Sequence, residues 1–331
     1  MIGLGNIGLL YDFESQRPHP SAHVLTYEQS SSFQFVCGID SDETKKLLLK
    51  KIAPDAKFFL SLEEAIDKEI FCNVDIVSIC TPPSTHMEIL ENLVKCGIGR
   101  IIFCEKPIVS DIEEIDRLNN LMKKYKDVVI VPNISRRWNT GLRRVKDAVS
   151  SGSYGRLEKI NIRYTRGIYN TGAHLFDLIK MWSGSPIKRV MALSRSQTSA
   201  EPEQSFSFYF ELENGVTGYA EAVDDRKYYL FDIDMYMSEG KIEMRNSGDD
   251  MSYYKVKKHH LFEGFKELTL DRQERNLLTD ACLKNAVKNL EEVLKGKECV
   301  YCTVTDAVYP LYVAKALERS YANKCMEEIR I

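Results

Sequence analysis

No apolar run reaches the roughly 18 residues that a membrane-spanning helix needs, so no such helix is expected. A strong charge of one sign is also missing. The 45 Lys and Arg face 48 Asp and Glu, for a net charge of -3. Nothing therefore draws the chain as a whole toward nucleic acid or an anionic membrane. A disulfide framework is missing too. The nine cysteines are odd in number and scattered. Cys37, Cys72, Cys80 and Cys104 sit in or beside apolar runs, where a thiol behaves as a small hydrophobe. This usage predicts a reducing, cytoplasmic setting. The lone C-x-x-C pair, Cys299 and Cys302, has no second pair to complete a zinc site, and no metal is expected. Internal repeats and low-complexity segments are absent. The N-terminus has no basic region followed by an apolar segment, so no secretory leader is expected.

What is present is a change of rhythm. A chain of 331 residues can build two cores. Up to Asn133, short apolar runs alternate with amphipathic stretches. "FQFVCGID", "VDIVSICT", "RIIFCEKP" and "DVVIVPN" read as strands, and continuous apolar character predicts burial on both faces. Ser61 with Glu64 has capping-box spacing at a helix start. This alternation predicts a doubly wound parallel sheet over residues 1–133. Beyond it, "SFSFYFEL", "ENG" and "VTGYAEAV" begin a series of strand-like stretches from about 187 to 262, an antiparallel meander. Helices near 273–295 and 304–323 close the chain. Residues 134–331 are expected to form a second α/β domain.

The chain opens "MIGLGNIGLL", in which Gly3, Gly5 and Gly8 spell G-x-G-x-x-G. The turn Gly3-Leu4-Gly5-Asn6-Ile7-Gly8 suits a dinucleotide pyrophosphate: a tight bend, a backbone bare enough for close approach, and a helix start aimed at negative charge. Asp40, closing the second strand, is the acid expected at the ribose hydroxyls. It would repel a 2′-phosphate, so NAD is favoured over NADP, although Ser41 keeps NADP in play. Asp40 follows Gly8 by more than the usual spacing of about 20 residues. "DFESQRPHP", residues 12–20, contains two prolines and reads as a loop inserted in the first crossover. Only Met1 and Ile2 precede the turn, where a central strand belongs. Losing about four buried apolar side chains would cost roughly 6–12 kcal/mol, close to the whole stability of a domain. The expectation is a first strand cut short, with the natural chain starting a few residues earlier.

Four further stretches act together: "VDIVSICTPPSTHMEIL", "FCEKP", "NISRRW" and "YNTGAHLFDLI". In this order and spacing the chain resembles the Gfo/Idh/MocA family of nicotinamide-dependent oxidoreductases over nearly its whole length. The resemblance implies a Rossmann domain followed by an α/β domain with a large, open, mainly antiparallel sheet, a surface for homo-oligomer contacts as dimer or tetramer. It implies substrates that are sugars, inositols, sugar acids or nucleotide-linked sugars. Thr81 and Pro82 end a buried strand and would face the cofactor, with His86 and Glu105 as further cofactor contacts. Lys106, held extended before Pro107, would touch the cofactor and polarise a substrate oxygen. His174 would be the acid–base group. Asp177, three residues on, shares its helix face and would orient the imidazole, contact substrate or merely lie on the surface.

Many family members carry an aspartate four residues before that histidine. Here the position is Asn170, which cannot act as a base but can cap a helix. Candidate substrate contacts are Arg136, Tyr169, Asn170 and Asp177. Arg136, Arg137, Arg163 and Arg166 could together line an anion site. "KVKKHH", residues 255–260, reads as a solvated strand edge. The expected activity is NAD-dependent hydride exchange with a sugar-like polyol in a cleft between the domains. Two alternatives stay open: an epimerase or eliminase with tightly held NAD, and a non-catalytic dinucleotide sensor or scaffold.

Overall fold

The apolar runs of the first 133 residues become parallel strands. The computed structural model of the chain describes residues 1–196, 203–226 and 228–331. Strand β1 (Cys37–Ile39) pairs with β2 (Lys57–Phe59), and β3 (Ile76–Ile79) with β4 (Ile101–Glu105) and then β5 (Val129–Asn133), all parallel. Ile2 joins the two halves by bridging Ile39 and Ile79. Its amide donates to the Ser78 carbonyl at 2.9 Å, and its carbonyl accepts from Cys80 at 2.7 Å. The Met1 ammonium donates to the Cys37 carbonyl at 3.0 Å. The central strand is thus reduced to a bridging residue with both neighbours satisfied. Beyond it, a groove of about 210 Å³ opens between the two half-sheets, lined by Met1, Phe33, Phe35, Val74, Ile76 and Ser78 among others.

The inserted loop lies where its prolines place it. The turn after Gly5 runs into a short 3-10 segment, Leu10–Phe13, and the chain returns at helix His23–Glu28. There the His23 and Val24 amides donate to the Ile7 and Gly8 carbonyls, both at 3.0 Å. The helix therefore resumes on the turn it left. Asp12 closes the loop by accepting from the Ser21 and Ala22 amides at 2.6 and 3.0 Å.

Contacts divide the chain into two units, Met1–Trp138 with Ala281–Val308, and Asn139–Asp280 with Tyr309–Ile331. This corrects the boundary at 133, which assigned 281–308 to the second domain. Helix Cys282–Leu294 buries Leu283, Ala286 and Leu290 in one cluster with Ile101, Phe103, Val131 and Trp138. It serves the core of the first unit. The preceding stretch is not helix but strand β13 (Lys266–Glu274), so the meander also runs further than residue 262.

Among the described residues the second unit is built on nine strands: β6 (Leu157–Tyr164), β7 (Ile187–Ser196), β8 (Ser205–Leu212), β9 (Thr217–Ala222), β10 (Phe231–Met237), β11 (Gly240–Arg245), β12 (Asp250–Lys258), β13 and β14 (Glu327–Glu328). Their order is β13-β12-β11-β10-β6-β9-β8-β7-β14, antiparallel except for the β6–β9 pair. Period-two alternation sends Phe206, Phe208, Phe210 and Leu212 of β8, and Phe231, Ile233, Met235 and Met237 of β10, into one core. Helices Thr140–Ser150 and Gly172–Ser183 supply Leu142, Val145, Phe176 and Trp182 to the same core. The other side carries polar groups. Partial burial works against ionisation of Asp234, but hydrogen bonds from Lys241 and Arg245 hold its carboxyl below the usual range. The basic run leaves the middle of the sheet as it proceeds: Lys255 pairs with both β11 and β13, whereas Val256–Lys258 have register partners only on β13, the edge strand. Among the described residues no helix is long and apolar enough to cross a membrane.

Candidate functional site

The glycines of the opening turn answer to three different constraints. Gly3 has φ +89°, and an added Cβ would lie 2.7 Å from the backbone of Cys80 and Thr81. At Gly8 it would collide with the Gly3 carbonyl oxygen. At Gly5 it would meet nothing within 4 Å. Two glycines let the bend close, and the third leaves an open backbone face beside the exposed Asn6. That is the cradle a pyrophosphate needs. Asp40 stands next to it. Its Oδ2 accepts from the Leu4 amide at 2.7 Å and its Oδ1 from the Asp42 amide at 2.9 Å.

The next strand ends gather around this turn. Thr81 follows β3 against Gly3, and Pro82 continues extended at φ -59°, ψ 145°. His86 is fully buried, with Nε2 2.8 Å from the Thr81 carbonyl and Nδ1 2.9 Å from the Pro107 carbonyl. The ring ties the Thr81 and Pro107 loops together. Lys106 is half-buried at the end of β4, before a cis peptide bond to Pro107.

Glu105 has a structural task within the first unit. Its Oε1 lies 2.7 Å from His23 Nε2 and accepts from Asn133 Nδ2 at 2.6 Å. Asn133 Oδ1 in turn accepts from Trp138 Nε1 at 2.8 Å. The carboxylate binds together the resumed first helix, β4, β5 and the Ser135–Trp138 turn. Burial, and next the Glu105 charge, push the Cys80 thiol up. Cys104 is raised in the same way. Both thiols stay protonated and unreactive. Arg136 lies half-buried in that turn. Arg137 is buried and donates to the Tyr301 carbonyl and to Asp306, both at 3.0 Å, so it serves structure.

In the second unit, Tyr169, Asn170, His174 and Asp177 lie on one helical stretch. A wide turn, Gly167–Thr171, passes into helix Gly172–Ser183. Tyr169, Asn170 and His174 are half-buried. Asp177 is fully buried. It is not a surface acid, and its charge adds to the burial that raises the Tyr309 phenol. Asn170 does not cap the helix from outside, because it lies inside the turn. The cap comes from Glu203, which accepts from the Tyr169 amide at 2.9 Å and from the Asn170 amide. Burial first, and then Glu318, raise the Tyr169 phenol. Arg163 pairs with Glu221 on the sheet, and Arg166 is exposed at φ 66°.

Sequence reasoning missed His23, Asn133 and Glu203. His23 alone left a trace, as the first residue of the helix that resumes after the two prolines.

Comparison with known proteins fits this arrangement. Residues 1–132 match the family described as an oxidoreductase family with an NAD-binding Rossmann fold, and residues 142–243 match the GFO/IDH/MocA C-terminal domain. The myo-inositol 2-dehydrogenase of Thermotoga maritima is 28% identical over 134 residues, which is 36% of this chain and 39% of that protein. The match thus spans well under two thirds of that relative's length. Among solved structures, myo-inositol 2-dehydrogenase from Lactobacillus plantarum superposes with TM-score 0.73 at 18% identity, covering 99% of this chain and 98% of that one. The transcriptional regulator Gal80p of Kluyveromyces lactis gives TM-score 0.78 at 16% identity, covering 99% and 90%. These likenesses establish the fold.

Proposed function

The chain belongs to the Gfo/Idh/MocA family of NAD-binding oxidoreductases, and from that premise we propose that it is an NAD-dependent dehydrogenase of a sugar-like polyol. The observation that carries the reading is the opening turn, closed by Gly3 and Gly8 and left bare at Gly5, with Asp40 bonded into it. The turn would hold the pyrophosphate, Asp40 the ribose hydroxyls, and Thr81 and Pro82 the adenosine side. When bound, the nicotinamide supplies hydride acceptance or donation. Lys106 donates a hydrogen bond to the substrate oxygen and stabilises the charge that develops there. His174 takes the hydroxyl proton in oxidation and returns it in reduction. Tyr169, Asn170 and Arg136 orient the substrate.

The inositol dehydrogenase relative makes cyclic polyols the first class to try. Exposed Leu193, Tyr219, Leu268 and Leu270 on the nine-stranded sheet support its use as a homo-oligomer surface. The test is a panel of inositols, sugars and sugar acids assayed for NADH formation. Turnover of at least one cyclic polyol is expected. Dinucleotide binding with turnover of none would instead make the chain a sensor. NAD surviving native mass spectrometry without net NADH formation would favour transient use, as in an epimerase.

A further inference from the structure

The helical stretch that carries His174 begins against acceptors supplied by one short segment, Glu203–Ser205, that leads into β8. The Gly167 amide donates to Ser205 Oγ at 2.9 Å, and the Ile168 amide to the Gln204 carbonyl at 2.8 Å. The Tyr169 and Asn170 amides both donate to Glu203 Oε1. Four consecutive amides are therefore satisfied by Glu203, Gln204 and Ser205. Gly167 has φ +74° and packs so closely on Glu203 that a Cβ would collide with its Cγ. The opening amides of a helix lack intrahelical partners and carry partial positive charge. Such amides are ready to receive a ligand's anionic group. In this chain a fixed carboxylate already holds that place, on the backbone of the two residues assigned to orient substrate.

We propose that Glu203 is a specificity-determining positioning residue: it fixes the turn bearing Tyr169 and Asn170, and its charge directs the site toward neutral polyols and away from carboxylate-bearing ones. The inference rests on the assignment of Tyr169, Asn170 and His174 to the substrate site. It narrows the substrate classes from sugars, sugar acids and nucleotide-linked sugars to uncharged ring polyols.

Two measurements test it on the full chain. The first is the ratio of KM for D-glucuronate to KM for D-glucose, a pair differing in one carboxylate, with NAD+ saturating. The wild type should favour glucose. Glu203→Gln keeps an acceptor for both amides but removes the charge, and should lower the ratio about tenfold, the effect of losing one like-charge repulsion of roughly 1.4 kcal/mol. A wild type that favours glucuronate, or a ratio unmoved by Glu203→Gln, overturns the charge role. The second is hydrogen exchange over residues 167–171. Glu203→Ala should speed it and Glu203→Gln should largely restore it. Unchanged protection in Glu203→Ala overturns the positioning role. If no polyol supports NAD+ reduction by the wild type, the dehydrogenase reading falls and the substrate preference falls with it. The exchange result still decides where Glu203 acts.

Discussion

His23 Nε2 lies 2.7 Å from Glu105 Oε1, inside the first unit and across 82 residues of sequence. A carboxylate only accepts, so the imidazole donates here. Asn133 donates to the same oxygen. Glu105→Ala would leave both donors buried without their acceptor, at a cost of about 2–5 kcal/mol. Thermal unfolding should then move down by roughly 5–15 °C for a unit of this size. An unshifted Tm would remove the carboxylate from the support of the strand ends.

Gly5 and Gly8 separate binding from folding. Gly8→Ala drives a methyl group into the Gly3 carbonyl, so it should lower Tm. Gly5→Ala meets no protein atom within 4 Å. It should change stability by less than about 1 kcal/mol while weakening NAD affinity tenfold or more, about 1.4 kcal/mol. Calorimetric NAD titration beside a thermal melt decides. Full affinity in folded Gly5→Ala would place the pyrophosphate elsewhere.

Asp40 holds the Leu4 amide and, by proposal, the ribose. Asp40→Asn keeps an acceptor for that amide and removes the charge that opposes a 2′-phosphate. The ratio of NADP to NAD affinity should rise about tenfold, roughly 1.4 kcal/mol. An unchanged ratio would mean that cofactor choice is made by other residues.

Lys106→Ala should lower kcat sharply while NAD still binds, because its contact strengthens as charge develops on the substrate oxygen. His174→Ala should cost about 10²–10⁴-fold, the range for a positioned acid–base group. If both serve one proton transfer, the double variant should lose less than the product of the two. Wild-type turnover by Lys106→Ala would sink the mechanism.

The fold was legible where a residue's role depends on near neighbours. Apolar runs before 133 announced parallel strands, and alternation in "SFSFYFEL" announced a sheet with one buried face. Pro18 and Pro20 announced the inserted loop. Roles that depend on distant partners were not legible. Glu105 sits beside Lys106 in a motif and looked like a cofactor contact, yet its partners come from His23 and Asn133. His86 looked like a ligand because its two carbonyls come from separate loops. Asn170 looked like a helix cap because nothing local revealed that Glu203 does the capping. The helix after 281 showed an apolar face but not which core would receive it.

Met1 and Ile2 tie the two half-sheets of the first unit together. The Met1 ammonium is hydrogen-bonded in the sheet, and Met1 lines the groove together with Val36–Cys37 and Val74–Ser78. Residues fused ahead of Met1 that follow this groove would lie between two strand edges. An apolar, β-branched leader of about four residues would find hydrogen-bond partners on both sides and should raise Tm. A flexible polar tag would be dragged through the same slot and should lower it. Comparing the two fusions by thermal unfolding measures what the slot accepts. For an affinity handle that leaves the sheet undisturbed, the place is the other end, where Ile331 is 73% exposed.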